Sequence, residues 1–271
     1  DGRPFIEDLG QADVANIGWV ILGGVIFNAS NILLSASTSL AGLSVAFPLG
    51  VGLSLVIGTV VNYIGAPKGN PVLLFAGIAL IVVAIICNGV ASGKVQKEGV
   101  DPESNRKGII LAVCAGVLMA FFYRFVAKAM DLDNFEHPTP GMVTPYTAIF
   151  IFSLGVLLSN FIFNTFVMKQ PFVGEPVTYK QYFRGSFKTH LVGVLGGAIW
   201  CLGTAFSYIA AGKAGAAISY ALGQGAPMVA AIWGVFIWKE FKGSDKNVNI
   251  LLGAMFLLFI AGLGFIIASG N

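Results

Sequence analysis

The 271-residue chain is 56% hydrophobic and only 11% charged, with a net charge of +3 and a mean hydropathy of +0.82, whereas soluble domains carry about 25% charged residues. A water-soluble fold could not hide that much apolar surface, and a charge so near neutrality argues against a nucleic-acid binder. The composition is that of an all-α membrane protein, whose thirty-five glycines let helices approach closely where lipid gives little drive to bury larger apolar side chains.

The chain opens Asp1-Gly2-Arg3-Pro4, with neither an initiator Met nor a signal-peptide pattern, so the expectation is that the true N-terminus lies upstream. Residues 5–14 mix aromatic and charged side chains, as an interfacial segment or a loop would. Eight apolar runs of 19 to 27 residues follow, at 15–35, 41–64, 71–91, 108–130, 142–168, 191–211, 214–238 and 250–268, each long enough to cross a hydrocarbon core of about 30 Å. A second aromatic and basic segment, 179–190, precedes the sixth run. Cys87, Cys114 and Cys201 sit singly inside runs, without disulfide or metal-ligand spacing, so they read as packing residues and no cofactor is expected. Lys94, Lys97, Arg106, Lys107, Lys169, Lys180, Arg184, Lys188, Lys239, Lys242 and Lys246 fall on one side of the bilayer, against Arg3, Lys68 and Lys213 on the other, with Lys128 near that second edge. The basic side is expected to be cytoplasmic, which places the C-terminus outside.

Shifting the chain by 173 residues lays 22–64 on 195–237 with eleven of 43 positions identical. Leu22-Gly23-Gly24 falls on Leu195-Gly196-Gly197, Ala41-Gly42 on Ala214-Gly215, Leu49-Gly50-Val51-Gly52 on Leu222-Gly223-Gln224-Gly225, and Phe47 on Tyr220. The first three spans then correspond to the last three, each five spans apart, and an odd offset turns one copy upside down relative to the other. The fourth and fifth spans have no counterpart. The expectation is a ten-helix, five-plus-five inverted-repeat fold, with residues 1–92 a first repeat lacking its first two helices, 93–107 a cytoplasmic connecting loop, and 108–271 the second repeat.

Two inverted fives resemble the drug/metabolite transporter superfamily. Phe27-Asn28-Ala29-Ser30-Asn31-Ile32-Leu33-Leu34, the run from Ala41 through Phe47-Pro48-Leu49-Gly50 to Gly52, and Ile57-Gly58-Thr59-Val60-Val61-Asn62-Tyr63 look like the ureide permease branch and its bacterial relatives, with the rhamnose and glucose/ribose porters as close competitors. The resemblance implies proton-coupled uptake of small polar solutes such as allantoin, uracil and related ureides and nucleobases. The resemblance to plant members implies a phosphate-loop-like word between the halves; Gly89-Val90-Ala91-Ser92-Gly93-Lys94-Val95 lacks its spacing and its Ser/Thr, so nucleotide binding is not expected.

The second and seventh spans are interrupted at nearly matching positions, by Pro48, Gly50 and Gly52 and by Gly223, Gly225 and Pro227. Matched interruptions point to a midplane site, because backbone freed there must find partners in protein, water or solute; close packing through small residues is the competing reading. Gln224, between two glycines, offers a donor and an acceptor to a neutral solute with urea-like groups. Asn28, Asn31 and Ser35 share a face of the first span, either as solute ligands or as polar contacts between helices. Trp200, Thr204 and Tyr208 recur every four residues on the sixth span and, with Phe47 and Tyr220, provide aromatic surface for a heterocycle or a sugar ring, or simply pack. Tyr146, Ser153, Asn160 and Asn164 stripe the fifth span. Arg124 and Lys128 are the only charges well inside a span. Lys128 reads as a snorkelling anchor, while Arg124, about 9 Å deeper than the span's end at about 1.5 Å per residue, reads as a cavity or gate residue. No Asp or Glu lies within a run, so no proton-relay carboxylate is visible.

The function expected is a secondary transporter taking up a small polar solute (ureide, nucleobase or sugar) by alternating access, with protons as the coupling ion, in a bacterial inner membrane. Export of drugs or metabolites is the alternative within the superfamily. A membrane enzyme would need clustered His, Asp or Glu near an interface, and a channel would lack saturation and counterflow.

Overall fold

The computed structural model describes residues 2–94, 102–135 and 137–270. In chain order these form α1 (Phe5–Gln11), α2 (Val14–Ala41), α3 (Leu43–Gly65), α4 (Pro71–Lys94), α5 (Pro102–Ala129), α6 (Pro145–Lys169), α7 (Tyr179–Phe183), α8 (Phe187–Ala214), α9 (Ala216–Gly223), α10 (Ala226–Ile232), a π-helical turn (Trp233–Ile237) and α11 (Lys246–Ala268). Eight spans among the described residues are long and apolar enough to cross a bilayer, the seventh being α9, α10 and the π turn together, so the chain is a multi-pass membrane protein. Helices outrun the apolar runs at the basic end. Of the connecting loop expected at 93–107, residues 93–94 finish α4 and 102–107 begin α5; residues 95–101, Lys97 with them, lie outside the described residues.

Gly42 and Gly215, 173 residues apart, have φ/ψ of 87°/162° and 84°/158°, a region essentially closed to residues carrying a Cβ. Each lets the chain leave one helix and enter the next within a single residue, donating its N–H to Thr38 O and Ala211 O respectively.

The expected pair of broken helices is half right. α3 runs unbroken through Pro48. A proline removes the hydrogen bond to the carbonyl four residues back, here that of Ser44, and the Asn88 side chain on α4 donates to that carbonyl at 2.8 Å. With the orphan satisfied, the helix has no reason to open. In the seventh span α9 stops at Gly223, Gln224 takes φ −87° and ψ 16°, and α10 restarts with Pro227 in its first turn, where a missing N–H is harmless.

Packing runs through small residues. A Cβ on Gly23 would lie 2.8 Å from Val126 Cγ2 on α5, and one on Gly24 would meet Phe152 O on α6, so α2 lies backbone to backbone against both. Gly77 and Gly262 each leave room for the other's carbonyl, joining α4 to α11 around Ile81, Met255 and Phe259. α8 is different: of its 28 residues only Tyr208 and Ala211 are buried, and a Cβ on Gly196 or Gly197 would meet nothing within 4 Å among the described residues.

α1 is tied to the start of α6. Asp8 is fully buried, accepts from the N–H and hydroxyl of Thr144 at 2.8 and 2.9 Å, and pairs with Arg3 at 3.3 Å. In the α5–α6 connection the hydroxyl and N–H of Thr139 donate to Asp131 and hold its carboxyl below its ordinary range.

Candidate functional site

A cavity of about 360 Å³ lies among α2, α3, α5, α8 and α9. Five pairs of its lining residues stand 173 apart: Phe27 and Trp200, Asn31 and Thr204, Leu34 and Ser207, Phe47 and Tyr220, Val51 and Gln224. The shift that aligns the sequence therefore also relates five pairs of residues around one space. The pairs are unequal. The earlier member is apolar in four of them, while the later set carries an indole N–H, two hydroxyls, a phenol and a carboxamide. The cavity lining thus combines aromatic and aliphatic surface with a few polar groups, which suits a flat or ring-shaped solute with a polar edge.

The aromatic side is built by contact. Phe27 stacks on Trp200 with centroids 4.4 Å apart, and Phe122 meets Phe27 edge-on at 5.1 Å. Gly58 leaves the space that the Tyr220 ring fills, so the ring reaches across to α3, where its hydroxyl lies 2.5 Å from Ser54 Oγ and donates to Ser54 O or Met119 O. Tyr123 donates to Ser207 O at 3.0 Å, and Ser207 and Ser219 hydroxyls lie 3.1 Å apart. These hydroxyls join α3, α5, α8 and α9 beside the cavity.

The structure brings Asn31, Phe47, Trp200, Thr204, Tyr220 and Gln224 together at one cavity. Among the described residues the side chain of Gln224 has no hydrogen-bond partner, and neither does that of Asn31. The other candidates lie elsewhere. Asn28 donates to Ser159 on α6 at 3.0 Å and borders a second cavity. Pro48 is buried within α3, and Gly50 packs against Ala112 and Gly116 of α5. Arg124 lies against Gly65 at the C-terminus of α3, a favourable place for a cation beside a helix dipole, and does not line the cavity. One turn on, Lys128 sits 4.2 Å above the Trp19 ring, which stacks on Phe125. The reading from the chain alone missed Tyr123, Ser207, Ser54 and Ser219; carrying the 173 shift from Leu34 would have found Ser207.

Glu240 was also missed, because it lies beyond the apolar run. Its carboxylate accepts from the N–H groups of Leu43 and Ser44 at 3.2 and 3.1 Å and from the Ser44 hydroxyl. It thereby caps α3, which has no cap from its own N-terminal residue.

Among the described residues the cavity lining contains no Asp, Glu, Lys, Arg or His. An ion entering it would lose hydration without a compensating charge, so the geometry favours a neutral solute. Among the described residues no cluster of three His, Cys, Asp or Glu could hold a metal ion.

Comparison with known proteins points the same way. The chain is 24% identical to ureide permease 1 of Arabidopsis thaliana over 331 aligned residues, covering 99% of this chain and 82% of the relative. It is 24% identical to ureide permease 2 of the same plant, covering 100% and 82%, and 22% identical to the glucose uptake protein GlcU of Bacillus subtilis, covering 89% and 75%. No solved structure matches the chain. With eight apolar spans and permeases and uptake proteins for relatives, the protein is a membrane transporter of small solutes. The ureide permease family model matches residues 99–269, more than half of the chain, which therefore belongs to the ureide permease family.

Proposed function

We propose that the protein is an alternating-access carrier that takes up a small neutral solute of the ureide, nucleobase or sugar class, bound in the central cavity between two inverted repeats. The observation that carries this reading is the set of five residue pairs, each 173 apart, lining one uncharged cavity. A site shared by both repeats is where rocking of one against the other changes the side from which solute is reached. The names of the relatives, ureide permease and glucose uptake protein, support the solute classes.

The intact carrier is proposed to have ten helices, its basic end in the cytoplasm and its C-terminus outside the cell membrane. Packing asymmetry supports the count. Gly23 and Gly24 seat α2 against α5 and α6, while their counterparts on α8, Gly196 and Gly197, face open space. Two further helices, equivalent to α5 and α6 in the other copy, would fill it.

Proton coupling is assigned to Glu240. Ionised, it makes charge-assisted hydrogen bonds to the N-terminus of α3, worth about 1.5–3 kcal/mol against about 0.5–1.5 for a neutral partner. These bonds hold the N-terminus of α3 to the segment after the π turn. In proteoliposomes of the full-length protein, an inward proton gradient is expected to drive accumulation of allantoin or glucose. Glu240→Gln should abolish gradient-driven accumulation while leaving counterflow of labelled solute. Uptake indifferent to the gradient in the unaltered protein would remove proton coupling; unaltered accumulation by Glu240→Gln would remove this residue from it.

A further inference from the structure

The central cavity does not end at Asn31. A second cavity of about 430 Å³ lies between α2 and α6, and Asn31 borders both. Its outer wall is the segment 171–173, whose Phe172 carbonyl accepts from Lys107 Nζ at 3.0 Å, so it lies toward the basic end. Asn31, Ser35 and Ser39 step along one face of α2 at intervals of four, and Asn160 and Asn164 do the same on α6.

The hydrogen-bond inventory of this space is incomplete in a specific way. Asn164 donates to Asn160 Oδ1 at 2.8 Å, which leaves Asn160 Nδ2 and Asn164 Oδ1 free of partners among the described residues. Ser35 and Ser39 donate to carbonyls of their own helix, leaving their oxygens as acceptors. The Asn31 carboxamide is open at both ends. Asn31 is exposed and Asn160 and Asn164 are half-buried, so these amide groups are accessible from one space whose lining, among the described residues, holds no ionisable side chain.

We propose that this vestibule is a second solute site, at which a neutral molecule with an amide-type edge, N–H beside C=O, is held by the carboxamides of Asn31, Asn160 and Asn164. A carboxamide presents a donor and an acceptor side by side and pairs two-point with such an edge. Asn31, common to both cavities, is the hand-over residue between central binding and release toward the basic end. This inference rests on the central-cavity reading.

The test uses full-length protein carrying Ser39→Cys in inside-out vesicles, labelled with a membrane-impermeant maleimide and read at that peptide by mass spectrometry, with the native cysteines as internal standards. Allantoin at about ten times its dissociation constant should slow labelling about tenfold, and glucose, which lacks the amide edge, should slow it less. Protection should persist when Gln224→Leu is added and disappear when Asn160→Leu and Asn164→Leu are added. Protection that disappears with Gln224→Leu marks an echo of central binding and overturns the vestibule site while sparing the central one. Failure of allantoin to protect Ser39→Cys, where Thr204→Cys is protected by the same solute, also overturns it. Protection at neither position sinks the vestibule and the central cavity together.

Discussion

Replacing Gln224 by leucine is expected to weaken solute binding about tenfold or more and to leave the fold intact. The side chain borders the cavity and has no hydrogen-bond partner among the described residues, so its replacement breaks no existing hydrogen bond. A bound solute using both ends of the carboxamide would lose two neutral hydrogen bonds, each worth about 0.5–1.5 kcal/mol. Glutamate should not rescue the function, because it lacks the donor and would bring a charge into an uncharged space. Counterflow of labelled solute measures the loss. Unchanged affinity in the leucine variant would take Gln224 out of the site.

The second large effect is on assembly. A side chain at Gly24 would meet the carbonyl of Phe152, with the Val156 nitrogen 2.9 Å away. These are backbone atoms of a packed helix and cannot move aside as a side-chain tip could. Overpacking of ordinary cores costs about 1–3 kcal/mol, and backbone collisions cost more, so Gly24→Leu is expected to lose the monodisperse species in size-exclusion chromatography. In the full-length protein Gly197→Leu should be equally damaging, although nothing lies within 4 Å of that position among the described residues. Normal folding of Gly197→Leu would argue against two further helices seated on α8.

The eight spans could be read from the chain because apolar length is a one-dimensional property, but the turns fall at Gly42 and Gly215 rather than in the breaks between the runs at 36–40 and 212–213, because the helices continue to the first residue that can adopt positive φ. Which way a residue points within a bundle is three-dimensional, and here the reading divided. Trp200, Thr204, Tyr220 and Gln224 line the cavity together with the residues 173 positions before them. Arg124 was judged on depth alone, and the face it occupies turns it toward Gly65. Pro48 looked like a break because its rescue comes from Asn88, forty positions away in the chain. Glu240 lay outside every hydrophobic run, and only the fold places it on the N-terminus of α3.

Binding of solute in the central cavity can be read at Trp200, which stacks on Phe27 there. With Trp19, Trp233 and Trp238 replaced by phenylalanine, Trp200 is the one indole left in residues 1–271, so its emission reports that space. Titration with allantoin or glucose should change the emission saturably, with a midpoint matching the affinity for transport. Saturable transport by the same variant without any change in Trp200 emission would contradict the account.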